Sequence, residues 1–251
     1  MSIRLWIDDR EVLAEPGERI LEVAQRQGIS IPTLCHHPAL PVLGACRVCL
    51  VEVQQGKRRE ITTACNTLVQ EGMRVATDTA EVRGHRAMNL ELLRARAPEA
   101  PAVRELATQL GVARSRFRPP AQNPLPNCIL CELCVRACAH LGHHALAAVG
   151  RGDKKRIGLP HNRPAEACVG CGSCLSVCPT RCILLKETAT TRTIWGQTFE
   201  LVRCKSCGAP VMTEAQRAHA IRTKQLPEDH DDTCELCKQS AASQRLASVV
   251  W

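Results

Sequence analysis

From Ile3 to Ile7 apolar and polar residues alternate, Asp8-Asp9 interrupts the run, and Glu11 to Ala14 continues it, which predicts two short strands joined by a turn. Pro16-Gly17 breaks the chain. Between Arg19 and Gln27, Ile20, Leu21 and Ala24 then fall at helical spacing until Gly28 stops the helix. Leu50 to Val53, Ile61 to Ala64 and Met73 to Ala76 read as further strands. Two strands, a helix and more strands within about 75 residues suit a β-grasp module, placed at residues 1–78.

Thr79 to Ala95 turns helical, with Val82, Met88, Leu92 and Leu93 among its apolar positions. The stretch that follows is rich in proline and contains one further predicted helix, Pro101 to Gly111, with proline in its first turn and glycine past its end. Residues 79–126 are therefore expected to be a helical connector without ligands. Residues 127–186 contain an internal repeat. Between its halves, His144 to Val149 and Lys155 to Leu159 flank Gly150-Arg151-Gly152-Asp153 as a predicted hairpin. Residues 187–251 are a tail around two CxxC pairs, and the whole reads as an α+β chain of four segments.

Cysteine changes this picture most. Of 17 cysteines in 251 residues, only Cys182 falls outside four sets of four. The first set is Cys35, Cys46, Cys49 and Cys65. The second is Cys128, Cys131, Cys134 and Cys138, and the third, Cys168, Cys171, Cys174 and Cys178, repeats its CxxCxxCxxxC spacing. The fourth is Cys204, Cys207, Cys234 and Cys237. With three Trp, two Phe and no Tyr, the modules lack the residues that usually fill a core. Metal ligation offsets this, since binding at a site absent from the unfolded chain contributes to folding, on the order of 10 kcal/mol for a structural zinc. The C-terminal half is therefore expected to be largely unfolded as apoprotein.

The first ten residues carry acid where a secretory leader needs an apolar run. No stretch approaches the roughly 18 apolar residues of a membrane span. Cysteine at about 7% is below the disulfide-scaffold range, so the chain is expected in the reducing cytoplasm. The formal charge of +8 counts thiols as neutral. Three clusters of about −2 each and a four-thiolate zinc site would bring it to about zero. The runs Lys57-Arg58-Arg59 and Lys154-Lys155-Arg156 read as solvated turns.

A cubane needs four thiolates around one small volume, and CxxCxxC supplies three from one loop. Four thiolates at the wider spacing of the first set suit [2Fe–2S] on a β-grasp scaffold, although the spacing is not plant-type. Zinc is the competing occupant of these sets. Gly44 opens the Cys46–Cys49 loop, where a missing side chain lets backbone N–H groups approach sulfur. His36 and His37 adjoin Cys35, but four cysteines already complete that site. The fourth set suits tetrahedral zinc or a third [4Fe–4S], with His219 and His230 solvated rather than ligating. Cys182 is expected to be a buried core thiol.

The paired runs resemble two-cluster ferredoxins, and that resemblance implies one cluster on Cys128, Cys131, Cys134 and Cys178 and another on Cys168, Cys171, Cys174 and Cys138. Pro179 follows the second run as in that fold, whereas Ala139 follows the first. Three stretches carry a wider likeness: Ile31-Pro32-Thr33-Leu34-Cys35, Gly44-Ala45-Cys46-Arg47-Val48-Cys49-Leu50-Val51-Glu52-Val53 and Asn127-Cys128-Ile129-Leu130-Cys131. With the order of sites, they resemble the diaphorase-side iron–sulfur subunit of NAD-linked soluble hydrogenases. They are also similar to the N-terminal part of the complex I large iron–sulfur subunit and its formate dehydrogenase relatives. These families usually carry a one-histidine, three-cysteine motif after the helix that here ends Glu91-Leu92-Leu93-Arg94-Ala95. This chain runs Arg96-Ala97-Pro98-Glu99-Ala100-Pro101 instead, so an electron path through that cluster must be shorter or take another route.

The resemblance implies an electron-transfer subunit between an NAD(H)-reactive flavoprotein and a catalytic partner such as a hydrogenase or formate dehydrogenase. No GxGxxG loop, flavin motif or hydrolytic constellation is visible, so NAD and flavin would belong to a partner. Two other classes compete: a free-standing multi-cluster carrier, and a metal-stabilised redox-sensing or nucleic-acid-binding regulator. Scarce aromatics argue against nucleic acid.

Overall fold

The computed structural model describes residues 2–120, 125–162, 165–224 and 232–247. Strands β1 (Ile3–Ile7) and β2 (Arg10–Ala14) pair antiparallel, with Ile3 opposite Ala14 and Ile7 opposite Arg10. Asp8 and Asp9 both take positive φ (48° and 63°) in the turn between them. A two-residue hairpin turn of this hand requires that, and Asp tolerates it better than most residues. Asp8 also accepts hydrogen bonds from the N–H and Oγ1 of Thr77 at 2.7 and 2.6 Å.

Helix α1 (Ile20–Arg26) opens on a capping box, in which the Arg19 N–H donates to Glu22 at 2.7 Å. Its apolar face buries Ile20, Leu21, Val23 and Ala24. Strands β3 (Leu50–Gln55), β4 (Arg58–Thr63) and β5 (Arg74–Ala76) complete a five-stranded sheet in the order β2-β1-β5-β3-β4. β1 and β5 run parallel, which places the long β3–β4 hairpin on one side of the sheet and gives the β-grasp arrangement. Its core centres on Leu5, Ile7, Ile20, Leu21 and Val51, all fully buried.

The connector is a packing layer. α2 (Ala80–Arg96) starts at Thr79, whose side chain accepts from the Val82 N–H at 3.2 Å, and α3 (Pro101–Gln109) carries proline in its first turn. Leu90, Ala97, Ala100 and Val103 form a second core with Leu34, Cys35, Cys46 and Val48 on one side and Ile129, Cys131 and Leu133 on the other. Arg86 of α2 is buried and donates to the Leu50 carbonyl at 2.5 Å, next to Cys49. Burial pulls its pKa below the usual guanidinium value, opposed by Asp78 and Cys49.

In the repeat, α4 (Leu133–His140) and α5 (Ser173–Ser176) follow the two CxxC loops and pack together. β6 (Ala147–Val149) and β7 (Arg156–Gly158) form the hairpin between them. Lys57, Arg58 and Arg59 stay exposed, as expected, but the last two lie in β4 rather than in a turn, and Lys155 pairs with Glu132 at 2.7 Å.

The last segment contains a sheet the sequence pattern does not announce. β8 (Leu185–Glu187), β9 (Thr191–Ile194), β10 (Gln197–Arg203) and β11 (Pro210–Thr213) form four strands in the order β11-β10-β9-β8, followed by α6 (Glu214–Lys224) and α7 (Glu235–Ala247). The sheet begins at Leu185, so strand pairing crosses residue 187. Thr- and Arg-rich strands with half-exposed faces leave only a weak alternation to read. The sheet sits on the Cys168 loop: Arg192 donates to the Gly170 carbonyl at 3.1 Å, the Thr213 hydroxyl donates to the Val169 carbonyl, and the Phe199 ring lies over Gly170. Among the described residues, no helix is long and apolar enough to cross a membrane.

Two substitutions test this packing. Arg86→Ala strips a buried carbonyl of its charged donor and is expected to cost about 1.5–3 kcal/mol, read as a lowered urea midpoint of the holoprotein. Gly170 has φ +65°, and a Cβ there would stand 2.6 Å from the Phe199 ring. Gly170→Ala should combine about 1–2 kcal/mol of backbone strain with about 1–3 kcal/mol of overpacking. A lowered urea midpoint of the holoprotein is the expected readout.

Candidate metal centres

The first set lies on the long loop between α1 and β3 and at the end of β4. Cys35, Cys46, Cys49 and Cys65 are all buried and fall into two pairs. The Cys46 N–H donates to Cys35 Sγ at 3.4 Å, and Cys49 Sγ stands 3.2 Å from Cys65 Sγ. In each pair one thiol donates to its neighbour. The Cys46 thiol thereby holds Cys35 down to about 6 and is itself pushed up, and Cys49 is pushed up while Cys65 is lowered. The loop that carries Cys46 and Cys49 needs Gly44 at φ +69° and Arg47 at φ 54°. His36 and His37 are not drawn into the sulfur group; the His37 Nδ1 accepts from the Ala39 N–H.

The two repeat loops share one backbone solution. Gly170 (φ 65°) and Gly172 (φ 79°) stand where the first loop has Leu130 (φ 54°) and Glu132 (φ 57°). Glycine takes this conformation freely, whereas Leu and Glu meet a steric penalty. Cys138, from the end of the first run, lines one cavity together with Cys168, Cys171 and Cys174 of the second. Cys178, from the end of the second run, lies beside Cys131 and Cys134 and adds to the upward shift that burial imposes on both, with Cys131 reaching about 11. Each run is thus brought to the last cysteine of the other. N–H groups aim at sulfur here as well: Ala145 N–H to Cys138 at 3.2 Å and Trp195 Nε1–H to Cys174 at 3.4 Å.

Cys182, expected in the core, is half-buried between Cys128 of the first run and Cys178 of the second. Its Sγ lies 3.6 Å from that of Cys178, and it hydrogen-bonds with Cys128, whose pKa it lowers. His219, expected in solvent, packs on the buried His143 with ring centroids 4.5 Å apart. His143 lines the Cys138 cavity, its Nδ1 has no protein partner, and burial holds its pKa below the ordinary imidazole value. His230 lies outside the described residues.

In the fourth set the sulfurs of Cys204, Cys207, Cys234 and Cys237 lie within 4.8 Å of one another. Cys207 and Cys234 are 3.6 Å apart, and the Cys234 N–H donates to Cys204 at 3.3 Å. The N–H groups of Cys234, Cys207 and Ser206 bring Cys204 down to about 6, while hydrogen bonds with Cys207 and Cys234 push Cys237 up to about 12. Asp232 braces the site from Lys205 at 2.9 Å and Arg217 at 3.4 Å.

The first two sets meet through one side chain that sequence reasoning missed. Arg136 on α4 donates to the Cys35 carbonyl at 2.8 Å, to the Cys131 carbonyl at 3.1 Å and to the Pro41 carbonyl. Cys35, Cys46 and Cys131 share one apolar cluster. The Arg96–Pro101 stretch, where the resembled families place an extra cluster motif, contributes buried Ala97 and Ala100 to that same packing. Arg96 donates to the Cys128 carbonyl at 3.0 Å and the Lys155 carbonyl at 2.9 Å. Only the arginine's spacing within α4 could have hinted at its role, and many helical arginines are solvated.

Residues 1–80 match the model of a 2Fe-2S iron-sulfur cluster binding domain, and residues 125–185 that of a 4Fe-4S dicluster domain. A subunit of the NADH-quinone oxidoreductase of Rhizobium meliloti is 31% identical over 82% of this chain and 27% of its own length. The alpha subunit of NADPH-Fe(3+) oxidoreductase of Geobacter sulfurreducens is 30% identical over 84% of this chain and 27% of its own. The mitochondrial NADH-ubiquinone oxidoreductase 78 kDa subunit of Candida albicans is 26% identical over 93% of this chain. The chain thus spans about a quarter of the length of the first two. A chain in the crystal structure of NAD+-reducing [NiFe]-hydrogenase in the H2-reduced state matches with a TM-score of 0.56 and 30% identity, over 63% of this chain and 75% of that one. The chain belongs to the family of iron–sulfur electron-transfer subunits that joins NAD-linked hydrogenases to the large iron–sulfur subunit of complex I.

Proposed function

We propose that this chain relays electrons in a cytoplasmic complex, between a flavoprotein that reacts with NAD(H) and a catalytic partner of the hydrogenase or formate dehydrogenase type. In this reading Cys35 and Cys46 hold one iron of a [2Fe–2S] centre and Cys49 and Cys65 the other. Cys128, Cys131, Cys134 and Cys178 hold one [4Fe–4S], and Cys138, Cys168, Cys171 and Cys174 hold a second. Bound there, the clusters would take and pass one electron at a time. The protein's own work is to bind them, exclude water from them and fix their spacing.

The observation that carries the reading is the Arg136 clamp. One guanidinium gathers the Cys35 and Cys131 carbonyls, so the backbones of the first two ligand loops are tied side by side. Ala97 and Ala100 are buried in the same apolar cluster as Cys35, Cys46 and Cys131. The likeness to NAD-linked hydrogenase supports the choice of partners.

For the C-terminal set the reading is zinc. Tetrahedral zinc with Zn–S of about 2.3 Å places its sulfurs about 3.8 Å apart. A cubane bonds each thiolate to a different iron and spreads them further. Sulfurs gathered within 4.8 Å suit the single ion.

Anaerobic affinity purification from the native host, with metal analysis and NAD(H)-linked turnover on hydrogen or formate, tests the whole. Recovery with a flavoprotein and a redox subunit, with zinc beside iron, is expected; a cluster-loaded chain recovered alone would favour the free carrier. Arg136→Met should loosen the junction by on the order of 2 kcal/mol and weaken the magnetic coupling between the reduced [2Fe–2S] and its neighbour. Cys207→Ser with Cys237→Ser should remove zinc while leaving cluster signals in place, whereas loss of a [4Fe–4S] signal would assign iron to that site.

A further inference from the structure

The turn between β9 and β10 holds Trp195 at φ 53° and Gly196 at φ 74°. A two-residue hairpin turn of this hand wants Asn, Asp or Gly at its first position, and a tryptophan there stores backbone strain. What the strained position achieves is the aim of the indole: its Nε1–H points at Cys174 Sγ, 3.4 Å away. Ile194 and Trp195 also wall the cavity that gathers Cys138, Cys168, Cys171 and Cys174. The sheet that carries the turn is fixed to the ligand loop by Arg192 on the Gly170 carbonyl and by Phe199 over Gly170. Beyond it, His219 of α6 leans on His143 of the same cavity.

We propose that the C-terminal sheet is a cap that sets the potential of the second [4Fe–4S], with Trp195 as its tuning residue. This rests on the assignment of a cluster to those four cysteines. The reduced cluster carries one more negative charge than the oxidised one. A fixed N–H donor to a ligand sulfur therefore stabilises the reduced form more and raises the potential. The zinc-braced tail thereby acquires a role in the relay: it holds the donor in place and keeps water off that cluster.

The test is potentiometric EPR titration of the holoprotein carrying Trp195→Phe, which keeps a ring and loses the N–H. Iron and sulfide analysis comes first. If wild type lacks a second [4Fe–4S], the cluster assignment fails, and that outcome is separate from failure of the cap. With both cubanes present, the expected result is a lower midpoint for one of them and no shift in the other or in the [2Fe–2S]. Unchanged midpoints at full iron content overturn the proposal. Should W195F fail to retain iron, a W6F/W251F protein labelled with 15N-indole carries the test in its place. A 15N coupling to a reduced [4Fe–4S] is expected, and its absence overturns the proposal.

Discussion

Sixteen thiols gathered in groups, more than half of them buried, must each stay neutral, accept hydrogen bonds or bind a cation, because unsupported thiolates there would repel one another and lack solvation. Nearly every local feature answers that constraint. Burial pushes Cys131 and Cys174 up to about 11, which favours the protonated thiols unless a cation is bound. Where N–H groups converge on a sulfur, as at Cys204, the thiol is brought down to about 6 instead. The tight ligand loops expose N–H groups to sulfur at the cost of positive φ at one or two residues per loop.

The carbonyls turned away by those loops also need donors, and guanidinium groups supply them. Arg86 serves Leu50, Arg96 serves Cys128, and Arg136 serves Cys35 and Cys131. Each lies on a helix behind a ligand loop. A single residue type thus satisfies buried backbone and places positive charge near sulfur-rich sites. This use of arginine accounts for part of the chain's formal basicity.

Much of the site was legible because ligand spacing is a short-range property. The CxxCxxCxxxC repeat and the two paired sets could be read from the chain, as could the β-grasp order, which opens on two strands, β1 and β2, that alternate. What stayed hidden was long-range or locally contrary. Leu130 and Glu132 give no sign that they adopt the backbone glycine adopts at 170 and 172. The C-terminal strands are half-exposed and all but β10 are short, and Trp195 looks like an ordinary hydrophobe until the turn points its indole at Cys174. Arg136 reaches across about a hundred residues of sequence, a partnership no local pattern encodes. Cys182 lies four residues past Cys178, a spacing that reads as incidental, and only folding brings it to Cys128.

The two cysteine pairs of the first set belong to different interiors. Cys49 and Cys65 are packed in the β-grasp core, whereas Cys35 and Cys46 belong to the apolar layer shared with the connector and Cys131. A two-iron centre spanning those pairs is therefore a rivet driven through the seam between two hydrophobic bodies. Loss of a centre at that point would remove one tie between the two bodies and leave the load on those that remain, Arg86 on the Leu50 carbonyl and Asn89 on the Arg47 carbonyl.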